Sequence, residues 1–310
     1  MSRDAAKDMG KPYHLRLPAT SANLGPGFDA LGLAMALYLT IDATVADAFY
    51  IEATGRDAAQ CGKLEDNLIL MTYVDVLAVA GVLAPRLHLQ IHNEIPLGMG
   101  CGSSASALLA GVFLANHFGS LGWTGQQILE EACTREGHPD NVAACFLGGM
   151  TASSIHKNSL ITATCGENLT WGVNLALPSA GLATEKARAL LPATYAREDV
   201  VVNLQSTALL VAAFAQGRGD LLRAAMLDRI HQPYRMTACA LLPLLLPLAD
   251  RPANPNSKIL GVALSGAGPS VLIITQDARP SALPAIIREA AGDSSLEVLQ
   301  TTISLGALEG

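Results

Sequence analysis

The chain has 310 residues, of which half are apolar and 15% are charged, and its formal net charge is −7. This composition excludes a disordered protein, and the length allows one large domain or two ordinary ones. The acidic balance disfavours nucleic acids and anionic membranes as partners, so an anionic ligand must be bound by local donors.

The cysteines and the N-terminal residues indicate a cellular compartment. The six cysteines lack the spacings of metal ligands, which favours a reducing environment. Residues 1–13 are polar and lack the apolar core of a signal peptide. The most membrane-like stretch, residues 238–249, contains Pro243 and Pro247 and is too short to span a bilayer. We therefore expect a cytoplasmic protein with no membrane partner.

The first predicted elements are two strands that flank a polar loop. His14–Leu17 alternates polar and apolar side chains, and residues 31–47 are rich in β-branched residues, so both segments predict strands. Between them, Pro18–Asp29 is dense in glycine, proline and small polar residues and predicts a loop. Such a loop suits ligand contacts, although Asn23 and Asp29 are also common turn residues.

A glycine-rich loop follows a predicted helix over residues 68–83 and a predicted strand over residues 87–91. This loop, Pro96–Gly102, leads into residues 103–116, whose apolar side chains have helical spacing, with Ser103 or Ser104 as the predicted N-cap. The free N–H groups and the positive dipole end of a helix attract an anion, and glycines let the backbone approach it. The loop therefore predicts a phosphate site; a turn that only caps a core helix is the alternative.

Two common phosphate loops are excluded. A Walker A loop needs a lysine, and none lies between Lys63 and Lys157. The dinucleotide motif G-x-G-x-x-G would need a glycine at the position of Ser103. The loop therefore belongs to another class of nucleotide site.

A polar cluster follows a helix predicted from about residue 126. It comprises Glu136, His138, Asp140 and Asn141, and Pro139 suits the start of a new helix with Asp140 and Asn141 in its first turn. Four such side chains between apolar segments indicate a functional site. Capping and turn residues on a solvated loop are the alternative reading.

The second half of the chain contains a second glycine loop and two prominent arginines. Helices are predicted over residues 184–191, 200–214 and 221–230, and strands over residues 169–177, 259–264 and 271–274, with the glycine loop at residues 265–270. Arg188 and Arg235 lie near turns in a chain poor in positive charge. Arginine can bind a carboxylate through two hydrogen bonds, and a surface salt bridge is the alternative for each.

Four of these segments resemble motifs of the GHMP kinases. Residues 96–105 resemble the central P-x-x-x-G-x-G-S-S-A motif of the superfamily, and residues 265–270 resemble its third motif. Residues 18–32 (PATSANLGPGFDALG) and 137–143 (GHPDNVA) are similar to the homoserine kinase branch in particular. Three loops in the family order, together with two motifs of one branch, make the resemblance specific.

The resemblance implies an ATP site and a magnesium site. Asn67 would border the adenine, and the Ser104 hydroxyl, with Ser103 as the alternative, would bind Mg²⁺ together with Glu136. Glu130 or Glu131 could replace Glu136, because the segment before His138 is short. The triphosphate would contact the loop formed by Pro96, Leu97, Gly98, Met99, Gly100, Cys101, Gly102, Ser103, Ser104, Ala105 and Ser106. Cys101 departs from the leucine usual in the family.

The resemblance also implies an amino-acid site beside the ATP. Six residues would bind homoserine: Asn23, Asp29, His138, Thr184, Arg188 and Arg235. Asn141 occupies the position where other GHMP kinases have a catalytic aspartate, and Asp140 is adjacent. Because neighbours on a helix point about 100° apart, we expect only one of them to face the hydroxyl. Direct phosphoryl transfer without a dedicated base is therefore favoured.

The fold implied by the resemblance is α+β with two lobes. Residues 1–155 would form the N-terminal ATP-binding lobe, with a ribosomal S5 domain 2-like fold, and residues 156–310 a ferredoxin-like C-terminal lobe. The implied activity is ATP-dependent phosphorylation of L-homoserine, with Mg²⁺ as cofactor and a homodimer left open. A kinase for another small alcohol and a non-catalytic ATP and metabolite sensor are the alternatives.

Overall fold

The computed structural model describes residues 12–157, 159–250 and 258–310, so the predicted polar start at residues 1–11 lies outside the described residues. The strands are β1 (Tyr13–Ala22), β2 (Leu31–Val45), β3 (Tyr50–Gly55), β4 (Leu87–Asn93), β5 (Met150–His156), β6 (Ser159–Cys165), β7 (Gly172–Leu177), β8 (Ile259–Leu264), β9 (Val271–Thr275), β10 (Glu297–Thr302) and β11 (Leu308–Glu309). The α-helices are α1 (Ala58–Cys61), α2 (Leu68–Val79), α3 (Ser103–Phe118), α4 (Gly125–Glu136), α5 (Asp140–Leu147), α6 (Thr184–Arg188), α7 (Arg197–Gln216), α8 (Leu222–Ala225), α9 (Gln232–Arg235), α10 (Leu241–Leu245) and α11 (Leu283–Ala291). Two 3₁₀ turns cover Gly219–Leu221 and Leu246–Ala249.

Two sheets give the two-lobed α+β architecture that the sequence predicted. The first has seven strands along the path β11-β1-β2-β4-β3, with the β5-β6 hairpin attached to β2. The second is antiparallel with the order β10-β7-β9-β8. The C-terminal strand β11 pairs with β1, so the chain end returns to the first sheet. The predicted lobe boundary at residues 155/156 lies at the end of β5, and β6 still pairs within the first sheet.

The helix that follows the glycine loop, α3, is central to the N-terminal lobe. The apolar stripe predicted from the sequence is buried, since Ala105, Leu108, Leu109, Val112 and Phe113 are all at most 7% exposed. The helix packs against α2, α4, α5 and β1. Its N-terminus, and with it the glycine loop, is thereby held rigidly by the core.

The first strand is longer than predicted. Pro18–Ala22, expected to be part of the loop, continues β1 and pairs with β2, with a shift of register between Pro18 and Ala19. Proline lacks a backbone N–H and cannot donate a hydrogen bond to the neighbouring strand. A bulge, where the regular pairing is interrupted, can therefore accommodate it. All five residues are buried, so tertiary packing overrides their loop-like composition.

The helix predicted over residues 221–230 is also wrong in length. It ends at Ala225, and Asp228 then accepts backbone hydrogen bonds from Ile230, His231 and Gln232. A carboxylate that satisfies three successive N–H groups replaces the helical bonds that would have continued the helix.

Among the described residues, one helix, α7, is long and apolar enough to cross a membrane. A single helix of this kind is weak evidence for a membrane span, because core helices of globular proteins have the same length and composition. Its Asn203 and Thr207 side chains donate hydrogen bonds to the carbonyl of Pro26. The helix therefore also supports the polar loop between β1 and β2.

A close contact between β2 and α5 allows a test of how the fold supports the polar cluster. A methyl group added at Gly32 would lie 2.1 Å from the Asp140 carbonyl oxygen. We expect Gly32→Ala to lower the free energy of unfolding by about 1–3 kcal/mol, because overpacked sites must shift backbone. Urea unfolding measures this change. Gly125→Ala is the matched control, since its methyl meets only the Phe146 ring tip at 3.2 Å; equal stability losses in the two variants would contradict the prediction.

Candidate active site

The loops of both lobes line one cavity of about 190 Å³. Fifteen of the residues proposed from the sequence are brought together there, namely Asn23, Asp29, Gly98, Gly100, Cys101, Gly102, Ser103, Ser104, Glu136, His138, Asp140, Asn141, Thr184, Arg188 and Arg235. A second, mostly apolar cavity of about 290 Å³ adjoins it and is lined by Asn67, Leu97 and Ser106, while Ser103 and Ser104 line both. Pro96, Met99 and Ala105 line neither cavity.

The glycine loop has the backbone of an anion cradle. Gly98, Gly100 and Gly102 all have positive φ values, of 68°, 74° and 71°. The N-cap of α3 is Gly102, without a side-chain cap, so the predicted cap at Ser103 or Ser104 is wrong by one or two residues. A left-handed backbone at this position requires glycine, and it leaves the first N–H groups of the helix free of side-chain partners. They are available to a phosphate.

The second glycine loop, residues 265–270, packs directly behind this cradle. The Ser265 hydroxyl donates to the Gly100 carbonyl at 2.8 Å and lies 2.9 Å from the Ser21 hydroxyl, from which it can accept. A methyl group at Gly100 would lie 2.2 Å from the Ser265 carbonyl oxygen. The second lobe therefore fixes the shape of the glycine loop before α3 through close contacts.

A hydroxyl and a carboxylate meet at the mouth of the loop. The Ser104 hydroxyl, in the first turn of α3, donates to Glu136 Oε2 at 2.9 Å. Burial raises the pKa of Glu136, and the hydrogen bond from Ser104 and the charges of His138 and Arg188 offset only part of that effect. Among the described residues no three His, Cys, Asp or Glu side chains cluster as a metal site. A magnesium ion here would depend on these two oxygens and on substrate phosphates, which is how proteins usually bind it.

The alternative carboxylates do not face the cavity. Glu130 is half-buried and accepts hydrogen bonds from Gln126 and from residues 159 and 160. Glu131 pairs with Arg135 at 2.7 Å. Glu136, which lines the cavity, is therefore a better candidate for a magnesium ligand than Glu130 or Glu131.

The polar cluster at the start of α5 is organised around Asp140. Its Oδ1 accepts from the Asn141 N–H at 2.7 Å and lies 2.8 Å from His138 Nδ1, and the side chain is 2% exposed. The hydrogen bond to Asp140 is the main cause that raises the pKa of His138. Both Asp140 and Asn141 line the cavity, but Oδ1 of Asp140 is occupied by its neighbours. Which of the two faces the substrate hydroxyl stays a prediction.

Thr20 is a site residue that the sequence analysis missed. Its hydroxyl donates to Asn141 Oδ1 at 2.7 Å, and its backbone N–H donates to the carbonyl of Cys101. The signal was present, because Thr20 lies in the first GHMP-like motif, but its distance in sequence from Asn141 concealed the contact. With Oδ1 accepting from Thr20, the amide nitrogen of Asn141 is left as a donor; it lies 3.4 Å from Asp140 Oδ1, and Asn141 lines the cavity.

Asp29 and Arg188 form an ion pair across the cavity. Two hydrogen bonds of 2.6 Å and 3.0 Å join the guanidinium to the carboxylate, and both side chains are about one-third exposed. Asn23 accepts from the Asp29 N–H and donates to the carbonyl of Gly266. The polar loop between β1 and β2 is thereby fixed to the glycine loop at residues 265–270.

Arg235 is buried and has no carboxylate partner among the described residues. It is 1% exposed, and its guanidinium donates to the carbonyls of Ala187 and Gly266, each at 3.3 Å, and contacts His231 Nδ1 at 3.1 Å. Burial, together with the charge of Arg188, lowers its pKa. The surface salt bridge considered for Arg235 is therefore wrong. A buried cation that lines a cavity without a counter-ion is suited to bind an anion.

Comparison with known proteins gives the family. The model of the GHMP kinases N terminal domain matches residues 67–149. Homoserine kinase of Solibacter usitatus (strain Ellin6076) is 49% identical over 263 residues, 84% of each chain. That of Synechocystis sp. is 37% identical over 293 residues, 92% of this chain and 93% of the relative. The crystal structure of homoserine kinase from Cytophaga hutchinsonii has the same fold, with a TM-score of 0.77 and 23% identity over 97% of this chain and 98% of that one. The chain therefore belongs to the homoserine kinase family of the GHMP kinases.

Proposed function

We propose that this enzyme phosphorylates the side-chain hydroxyl of L-homoserine with ATP and releases O-phospho-L-homoserine and ADP, a step of threonine biosynthesis. The observation that carries the proposal is the arrangement of one cavity. Three features line the same space: an arginine, Arg235, that is buried and has no counter-ion within the described part of the chain, a carboxylate, and the glycine loop. They match the carboxylate, ammonium and phosphate-accepting hydroxyl of the substrate.

The amino and carboxylate groups of the substrate would bind between the loop that joins β1 to β2 and the C-terminal lobe. Asp29 and the Asn23 oxygen would accept hydrogen bonds from the ammonium, while Arg188 and Arg235 would donate to the carboxylate, with Thr184 and His138 nearby. Asp29 and Arg188 are paired with each other without substrate. A zwitterion can replace each partner with one of its own charges, so the exchange leaves no ion unpaired.

The nucleotide would occupy both cavities. The apolar cavity beside Asn67 would hold the adenine, and the backbone N–H groups of residues 96–106 would bind the phosphates. Ser104 and Glu136 would hold Mg²⁺, which neutralises phosphate charge and aligns the γ-phosphate when bound.

The acceptor hydroxyl would be positioned rather than deprotonated by a dedicated base. Thr20 occupies the oxygen of Asn141, so the Asn141 amide donates toward the hydroxyl or the γ-phosphate. Asp140 is committed to His138 and the Asn141 N–H. Positioning and charge stabilisation would then supply the rate, with the proton passing to phosphate or solvent.

The free thiols support a reducing compartment. All six cysteines are unpaired, and four of them are buried. We therefore propose that the enzyme acts in the cytoplasm. Its oligomeric state stays a prediction.

ADP release with Mg-ATP tests the function directly. L-homoserine, mevalonate, galactose and a blank without acceptor form the panel. We expect turnover with homoserine alone. Turnover with another alcohol instead would overturn the assignment of the substrate, and ATP binding without turnover of any acceptor would favour a sensor.

Replacing Arg235 tests the carboxylate site. We expect Arg235→Leu to raise the homoserine KM by about tenfold or more, because a hydrogen bond to a charged group contributes roughly 1.5–3 kcal/mol. Initial rates at varied homoserine and saturating ATP measure it. Arg218→Leu, which removes an arginine that pairs with Asp220 on the surface, is the control. An unchanged KM in the Arg235 variant would remove this residue from the site.

A further inference from the structure

His231 is a fully buried imidazole behind the carboxylate-binding cavity. Its Nε2 lies 2.7 Å from the carbonyl oxygen of Gly25, and its Nδ1 lies 3.1 Å from Arg235 Nη1. A carbonyl oxygen can only accept a hydrogen bond, so Nε2 carries the proton. Nδ1 therefore has a free lone pair and accepts from the Arg235 guanidinium. The ring is neutral in this arrangement, and it joins the first loop to the arginine.

We propose that neutral His231 is a positioning residue, which orients Arg235 toward the substrate carboxylate by accepting the hydrogen bond from its Nη1. The inference rests on the proposed function, in which Arg235 binds that carboxylate. His231 itself does not line the cavity and acts only through the arginine.

The remaining contacts of Arg235 do not fix its orientation as closely. Its bonds to the carbonyls of Ala187 and Gly266 are both 3.3 Å long, at the upper end of the normal range. The Phe28 ring lies 5.3 Å from the Arg235 guanidinium carbon and 5.4 Å from that of Arg188, at the distance of cation–π contacts. A ring face permits rotation of the guanidinium, whereas the lone pair of Nδ1 is directional.

The ring of His231 is itself held in place from two sides. Phe28 stacks on it, with centroids 5.4 Å apart and planes at 29°. Asp228 accepts from the backbone N–H of His231 at 3.1 Å and lies 3.6 Å from Nε2. The imidazole therefore has one orientation, and Nδ1 faces the arginine.

Protonation would break this contact. A proton on Nδ1 would point at the guanidinium, and the arginine would lose its acceptor. The charged groups that face the ring are Asp228, Arg235 and Asp29; burial and then the charge of Arg235 lower the pKa of His231, while the two carboxylates oppose this. Because the pKa of His231 lies below its ordinary value of about 6.5, the neutral form still dominates at that pH, and the contact is lost only as the pH falls through the lowered pKa.

Two substitutions of His231 distinguish the hydrogen bond of Nε2 from that of Nδ1. Glutamine can place an N–H near the position of Nε2 but offers no acceptor at that of Nδ1. Asparagine places its oxygen near Nδ1 but does not reach Gly25. We therefore expect His231→Gln to raise the homoserine KM by about tenfold with kcat little changed, and His231→Asn to stay within about threefold of the wild type. The KM for ATP should change less than about twofold in both variants.

Steady-state kinetics and thermal unfolding of the two variants test the proposal. A selective rise in homoserine KM for the glutamine variant supports it. Equal KM values in both variants, or losses that follow only the melting temperatures, would show a merely structural role. Absence of homoserine turnover in the wild type would overturn the proposed function instead, so the two failures are distinguishable.

A measurement on the wild-type enzyme alone provides a second test, independent of whether the variants fold. The ratio of kcat/KM for homoserine to that for 3-amino-1-propanol, which has the ammonium and hydroxyl but no carboxylate, should stay constant as the pH drops from about 7.5 to about 6, because the lowered pKa keeps His231 neutral there. A fall in this ratio centred near pH 6.5, about the ordinary pKa of an imidazole, would show that the ring does not stay neutral and would overturn the proposal.

Discussion

Glu136→Gln should lower kcat by on the order of 10²-fold or more, and the Mg²⁺ concentration needed for half-maximal rate should rise. The variant keeps the shape of the side chain and an oxygen that can accept from the Ser104 hydroxyl. It removes only the negative charge. The lost rate would therefore report the charge that stabilises the metal and, through it, the transferred phosphoryl group.

The stability of the same variant excludes a structural explanation. Burial raises the pKa of Glu136, so the ionised side chain costs free energy in the folded state. Glutamine avoids that cost, and we expect a melting temperature equal to or above that of the wild type. Loss of activity without loss of stability would then mark a functional carboxylate.

Glu130→Gln is the control for the assignment of the metal ligand. Glu130 lies six residues earlier on the same helix, is half-buried, and does not line the cavity. We expect its kcat and Mg²⁺ requirement to be unchanged. If Glu130→Gln were the inactive variant and Glu136→Gln the active one, the assignment of the two residues would be reversed.

The sequence was sufficient to predict the parts of the site that depend on local pattern. Glycines before an apolar helix predicted the phosphate loop, and the buried stripe of α3 confirmed the helix. The two-lobed α+β fold and the kinase family followed from motifs in a fixed order. The roles of the individual residues stay predictions, although Ser104 and Glu136 lie within hydrogen-bond distance.

The parts that depend on tertiary contacts were not predictable in the same way. Thr20 lies in a strand that was predicted as a loop, because only its pairing with β2 shows the backbone to be extended. His231 was assigned no role from the sequence, since no local pattern relates it to Gly25, 206 residues away. The N-cap of α3 was placed on a serine because propensity favours hydroxyls there, yet the left-handed backbone selects Gly102.

Gly102→Ala should lower kcat/KM by on the order of 10²-fold, because a displacement of about 1 Å in a catalytic array has effects of that size. An added methyl group would lie 1.8 Å from the Thr20 hydroxyl oxygen, and its φ of +71° already disfavours any side chain. The clash can be relieved only by moving the helix N-terminus or Thr20. Either movement disturbs the phosphate cradle or the Asn141 amide that Thr20 orients.

Gly81→Ala separates this clash from backbone strain. Gly81 has nearly the same φ, +70°, but a methyl group there meets nothing within 4 Å, and it lies beyond the end of α2, away from the cavity. We expect both variants to lose about 1–2 kcal/mol of stability from the left-handed backbone, but only Gly102→Ala to lose activity. Initial rates at varied ATP and homoserine, with urea unfolding of both variants, measure the difference. Wild-type kinetics in Gly102→Ala would show that the loop accepts a side chain, and the phosphate cradle would then have to lie elsewhere.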